Sequence, residues 1–119
     1  MSQKMAIVCN HSDPSGFMPT LIMGSSGLAL DYEVVLFFTP GGAMSLVKGE
    51  LEKYQELKGL PNPVELYNTI IELGGKVIFC ELAIENKDIN PEDLREGVEI
   101  MKAPPFLMEA EGAQLTFTF

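Results

Sequence analysis

The chain has no tryptophan, one histidine, two cysteines and only 8 lysines and arginines among its 119 residues. Each scarcity excludes something. Cys9 and Cys80 are too few and too far apart for a disulfide scaffold or a four-cysteine zinc site. With His11 as the single imidazole, a metal site would rest on carboxylates, and these show no ligand spacing, so neither a metal nor another cofactor is expected. Against 17 aspartates and glutamates the few basic residues leave a formal charge of -9, which argues against nucleic acid as a partner. No apolar run approaches the roughly 20 residues of a membrane-spanning helix. The segment Met1 to Val8 is briefly apolar but lacks the layout of a signal peptide. The expectation is a soluble, cytoplasmic protein. No internal repeat shows, nothing matches the phosphate-loop pattern G-x-x-x-x-G-K-[ST], and no G-x-G-x-x-G follows the first apolar run.

What is present is an ordinary globular core. The hydrophobic fraction is 46%, and a chain of this length buries roughly two-thirds of its unfolded surface, so residues 1–119 read as one domain. Its centre is Gly75-Lys76-Val77-Ile78-Phe79-Cys80-Glu81-Leu82, a continuous apolar run bounded by a double glycine and a charge. Such a run reads as a strand buried on both faces, the kind found in parallel sheets. Lys4 to Cys9 and Glu33 to Thr39 read the same way, Gly97 to Met101 as a short fourth strand, and Leu115 to Phe119 as an alternating fifth.

Helical patterns fill the gaps. Phe17, Leu21 and Leu28 share a stripe, and Pro19, tolerated in a first turn, places that helix start between Ser15 and Met18. Gly24-Ser25-Ser26-Gly27 suggests close approach of another backbone. Met44, Val47, Leu51 and Tyr54 recur at helical spacing, with Lys48 and Glu52 one turn apart. Asn62-Pro63-Val64-Glu65 is a cap-and-proline start, and Gly74 is the matching stop. Asn90-Pro91-Glu92-Asp93 repeats the start signal, and Pro104 to about Glu111 reads as a last helix with Phe106, Leu107 and Ala110 inward.

Strand-helix alternation implies right-handed crossovers and a sheet between helix layers. The expected fold is a single flavodoxin-like three-layer α/β domain, with a five-stranded, mainly parallel sheet in the order 2-1-3-4-5 and helices on both faces. Ligands of such sheets bind beyond the carboxyl ends of the strands, near the switch in strand order, here between strands one and three. Cys9 and Cys80 both fall at strand ends. On neighbouring strands about 4.8 Å apart they would lie within disulfide reach, making a redox pair one reading. The other readings are a reactive Cys80 and two core cysteines, since free cysteine behaves as a small buried hydrophobe. His11, in the loop after strand one, could move a proton or bind an anionic sulfur group. Asn10 shares that loop, and Gly41 and Gly42 make a turn whose N–H groups could face an anion.

Three stretches resemble the DsrE/DsrF-like family of small sulfur-relay proteins. They are Val77-Ile78-Phe79-Cys80-Glu81-Leu82; Ile89-Asn90-Pro91-Glu92-Asp93-Leu94 with Gly97-Val98-Glu99-Ile100; and Phe106-Leu107-Met108-Glu109-Ala110 running on to Leu115-Thr116-Phe117. The resemblance spans nearly all of the chain. It implies that Cys80 carries sulfane sulfur, as a persulfide or thiosulfonate, between a sulfane-sulfur donor and a small sulfur-carrier protein. It also implies a homo-oligomer, trimer or hexamer. Cys80 is then the catalytic residue, with His11, Cys9, Asn10, Gly41 and Gly42 as possible auxiliaries. The alternative is a non-catalytic flavodoxin-like module that binds a partner or oligomerises, its cysteines structural.

Overall fold

The computed structural model describes residues 3–119. Five strands, β1 (Lys4–Cys9), β2 (Glu33–Phe38), β3 (Lys76–Cys80), β4 (Val98–Met101) and β5 (Leu115–Thr118), form one sheet, and every pairing in it is parallel. Four helices accompany them: α1 (Pro14–Ala29), α2 (Pro63–Glu72), α3 (Leu82–Asn86) and α4 (Ala103–Ala110). The expected class, a five-stranded parallel sheet with helices on both faces, is the one found. Among the described residues no helix is long and apolar enough to cross a membrane.

The strand order is β4-β3-β2-β1-β5. It places β2 between β1 and β3, where the sequence reading made β1 and β3 neighbours. The physical reason lies in the crossovers. The chain steps from β1 to β2 to β3 in one direction, and right-handed connections then set α1 and α2 on one face. The step from β4 to β5 runs back across the sheet, so α4 lands on the opposite face. The reversal therefore falls between β1's two partners, β2 and β5.

The two faces are unequally covered. Met5, Ile7 and Cys9 of β1, Val34, Leu36 and Phe38 of β2, and Val77 and Phe79 of β3 join Phe17, Leu21 and Ile70 in the main core under α1 and α2. Alternate residues Val35, Phe37, Ile78 and Cys80 make a second, smaller cluster closed by Phe106 of α4. Period-two alternation splits β1, β2 and β3 between the two cores.

Several local expectations shift. Asp13 caps α1, its carboxylate accepting from the Ser15 N–H at 2.9 Å, so Pro19 is the sixth helical residue, one turn deeper than expected. The carbonyl it leaves without an N–H partner is that of Ser15, an exposed residue. Gly24 and Gly27 make room for side chains and not for another backbone: Leu36 and Ile70 at the first, Met5 and Val34 at the second. Residues 43–54 form two 3-10 turns, Ala43–Leu46 and Leu51–Tyr54, separated by Gly49 at φ +91°. Glu52 pairs with Arg95 in a two-pronged bridge at 2.8 Å for each bond, and not with Lys48. The Asn62 cap, accepting from the Val64 N–H at 2.9 Å, and the Gly74 stop at φ +87° are where the sequence put them.

Candidate functional site

The loops at the carboxyl edge of β1 and β2 pack tightly against one another. The Asn10 N–H donates to the Phe119 carbonyl at 2.7 Å, and Ser12 Oγ donates to the Gly41 carbonyl at 2.7 Å. Thr39 Oγ1 bonds Asn10 Oδ1. A Cβ at Gly41 would stand 2.3 Å from the Asn10 carbonyl oxygen, and one at Gly42 2.3 Å from that of Cys9. These glycines let two loops touch, which accounts for both without an anion. The Cys9 thiol is fully buried among the main core and donates to the His11 carbonyl at 3.3 Å. Burial pushes this thiol up from its ordinary value, and a hydrogen bond to the Thr20 side chain only partly offsets the effect. Cys9 is therefore a poor nucleophile. Asn10 and His11 are exposed beside it.

Cys80 belongs elsewhere. It is the last residue of β3, paired with Met101, and its side chain lies on the α4 face, among Val35, Phe37, Ile78 and Phe106. Phe37 and Phe106 stack there with ring centroids 4.3 Å apart. The two cysteines are free, they occupy opposite faces, and an entire strand separates them. Two strand spacings, about 9.6 Å, exceed the roughly 6.8 Å limit between Cα atoms, so the chain cannot form the Cys9–Cys80 disulfide weighed from sequence. For the same reason the structure joins Cys9, Asn10, His11, Gly41 and Gly42 into one cluster but leaves Cys80 outside it.

The surroundings of Cys80 come from residues on either side of the β3–β4 pairing. The Glu81 N–H donates to the Met101 carbonyl at 2.9 Å, continuing the ladder one step past the cysteine. The chain then turns directly into α3, with Leu82 projecting outward at 70% exposure. On the other strand Lys102 follows Met101 and precedes α4. Glu81, Leu82, Ile84, Glu85 and Lys102 line a concavity of about 380 Å³ at this edge. A second, of about 650 Å³, is lined by Pro40, Leu82, Glu85 and Asn86. Cys80 itself is 4% exposed. Cys80 is thus a buried strand-end cysteine, immediately before Glu81 and Leu82, which line the first of these concavities.

Lys102, Glu85 and Leu82 were not singled out from sequence as site residues. Only the β3–β4 pairing brings Lys102 beside Cys80, and no local pattern announces it. Among the described residues no group of three or more histidine, cysteine and acidic side chains could hold a metal ion.

Two solved structures share the architecture. The YchN protein of Escherichia coli superposes with a TM-score of 0.79, covering 98% of this chain and 99% of its own at 18% identity. MTH1491, a protein of unknown function from Methanobacterium thermoautotrophicum, gives 0.70 over 98% and 97% at 12% identity. The uncharacterized protein MJ0760 of Methanocaldococcus jannaschii is 33% identical over 88 residues, 74% of this chain. The chain spans about a third of that relative's length, the match taking in 32% of it. The family model for DsrE/DsrF-like proteins matches residues 3–117, and the chain belongs to the DsrE/DsrF-like family.

Proposed function

We propose that this is a cytoplasmic sulfur-relay protein in which Cys80 carries sulfane sulfur, as a persulfide or thiosulfonate, between a sulfane-sulfur donor and a small sulfur-carrier protein. The observation that supports it best is the place of Cys80: the last residue of a buried strand, free, and followed at once by Glu81 and Leu82, which with Lys102 line a concavity at the carboxyl edge of the sheet. Family membership supplies the chemistry that such a cysteine serves.

The transfer balances without an external oxidant. The Cys80 thiolate attacks the sulfane sulfur of a donor R–S–SH, forming a new Sγ–S bond as the donor's S–S bond breaks. The leaving RS⁻ departs with the electron pair. The acceptor's thiolate then attacks the terminal sulfur, and Cys80 regains its pair as thiolate. Sulfur moves at the zero-valent level in both steps. His11, in the loop after β1, is separated from Cys80 by β2, so Cys80 is the residue taken to receive the sulfur.

Intact-mass spectrometry after exposure to polysulfide, thiosulfate and tetrathionate tests this reading. A reductant-sensitive adduct on Cys80 is expected, absent in Cys80→Ser and retained in Cys9→Ser. Loading that survives Cys80→Ser overturns the assignment. The 4% exposure of the thiol favours one competing reading, a binding module with structural cysteines. In that case native Cys80 resists every thiol reagent until the protein unfolds.

A further inference from the structure

The two edges of the sheet are finished differently. β4 forms one, with Glu99 exposed along it and the exposed charges of Glu96 and Lys102 close to its ends. Charged side chains on an edge discourage strands of other molecules from adding to it. β5 forms the other, and from Ala113 to Phe119 it has no charge, no proline and no glycine. Its register with β1 runs unbroken from Leu115 to Thr118, so no bulge turns it away. Among the described residues no strand pairs with its outer side. The hydrogen bonds fix which groups face outward there. The Phe119 N–H donates to the Val8 carbonyl at 2.8 Å, and the Phe119 carbonyl accepts from the Asn10 N–H at 2.7 Å, so both point at β1. Strand groups alternate; those of Phe117 point the same way, and the N–H and C=O of Thr116 and Thr118 point outward. The Gln114 N–H is already taken by the Lys4 carbonyl at 3.0 Å, so the outward set stops at Thr116. Side chains alternate too. Leu115, Phe117 and Phe119 pack half-buried on the main core, while Thr116 and Thr118 stand exposed on the other face.

We propose that the β5 edge pairs antiparallel with the β5 edge of a second copy of this chain, about a twofold axis that passes between the two Phe117 residues. The occupant is a second copy because the outward groups are self-complementary in this register. Thr116 of each copy lies opposite Thr118 of the other, each N–H finds the other's carbonyl, and no outward donor or acceptor of either threonine is left over. Phe117 faces its own counterpart at about 4.5 Å between Cα atoms, the closer kind of pair, and each ring covers the flank that β1 leaves open. Moving the axis to Thr116 sets Thr118 against Gln114, whose N–H is spent. The neutral strip also lets two chains of charge -9 meet without setting like charges across the contact. The axis stands perpendicular to the sheet, so both α4 helices stay on one face and the two carboxyl edges point in opposite directions. Each copy keeps its Cys80 edge clear of the contact, and the inference stands whether or not Cys80 carries sulfur.

Light scattering on the intact chain, with paired substitutions at the two exposed threonines, tests both the contact and its register. The parent is expected at an even multiple of the 13.1 kDa chain mass. Thr116→Lys/Thr118→Lys sets like charges opposite each other across the axis, and half the parent mass is expected, even though the chain as a whole becomes less negative. Thr116→Lys/Thr118→Glu sets each lysine opposite a glutamate and should keep the parent mass. A parent at an odd number of chain masses, a first variant at the parent mass, or a second variant at half of it overturns the proposal. Hydrogen exchange needs no variant. The Thr116 and Thr118 amides should be protected in the assembled protein, and exchange of both at the rate of exposed amides overturns the pairing.

Discussion

Gly42 has no space for a side chain. Its Cβ would sit 2.3 Å from the carbonyl oxygen and 2.9 Å from the carbonyl carbon of Cys9, both backbone atoms of a core strand that cannot retreat. Gly42→Ala is expected to lose about 1–3 kcal/mol, the range for overpacking, read as a lower urea midpoint. Gly24→Ala meets only the methyl ends of Leu36 at 3.3 Å and Ile70 at 3.5 Å, and alanine favours its helix. That variant should stay within about 1 kcal/mol of the parent in the same titration. Tyr67 is a second residue whose surroundings dictate behaviour. Its hydroxyl donates to the Glu96 carbonyl at 2.6 Å, and burial pushes its ionisation up from 10.0 to about 12. The fold favours the protonated phenol, so this stabilisation is complete below pH 10 and is lost as pH rises toward 12. Ultraviolet absorbance at alkaline pH should show the Tyr67 phenolate appearing near 12, and Tyr67→Phe should remove that step. At this scale the sequence exposed Cys80, because an apolar run ending in cysteine marks a strand terminus. It hid Lys102, because a charge on an unremarkable turn gains meaning only from the strand it lies beside.

Among the elements, α4 governs access to the proposed site. It is the one helix that closes the second cluster, through Phe106 stacked on Phe37, and the Lys76–Glu109 bridge at 2.9 Å ties its far end to the start of β3. Phe106→Ala should cost about 3 kcal/mol of stability by denaturant titration. It should also speed native-state labelling of Cys80 by a neutral thiol reagent, because the ring's departure opens the apolar wall. Slower or unchanged labelling in a folded variant would show that α4 does not limit access. Helix starts marked by cap chemistry were legible, as at Asn62-Pro63 and Asn90-Pro91, since a side chain bonding the nearby N–H acts within its own segment. Packing directions were not. Leu107 was expected inward but is 63% exposed, because an eight-residue helix lying on a sheet buries a narrow strip, here Phe106 with Ala110 beside it. The 43–54 segment showed helical spacing, yet Gly49 in the left-handed region divides it into two turns.

For the whole molecule, the class of fold was legible and the order of strands was not. Alternating strands and helices prescribe a parallel sheet with covered faces. No single-strand pattern records which neighbour a strand will take, and strands buried on both faces look alike in any position. Apolar surface left uncovered at this scale, namely Leu82 and Ile100 near the carboxyl ends of β3 and β4 and Leu107 and Met108 on α4, suits the trimer or hexamer that the family resemblance implied. Light scattering should then return about three or six times the 13.1 kDa chain mass, and a value equal to one chain would refute it.

The placement of β2 between the two cysteines has a kinetic meaning. Many thiols that take up sulfur are quickly relieved of it by a second thiol in the same molecule, which closes a disulfide and expels the sulfur as sulfide. Cys9 stands a strand away, facing the opposite core, and cannot reach. Sulfur carried on Cys80, as proposed, would therefore have no exit within its own chain. Its lifetime is set by the arrival of another molecule, so discharge should be first order in acceptor and negligible in its absence.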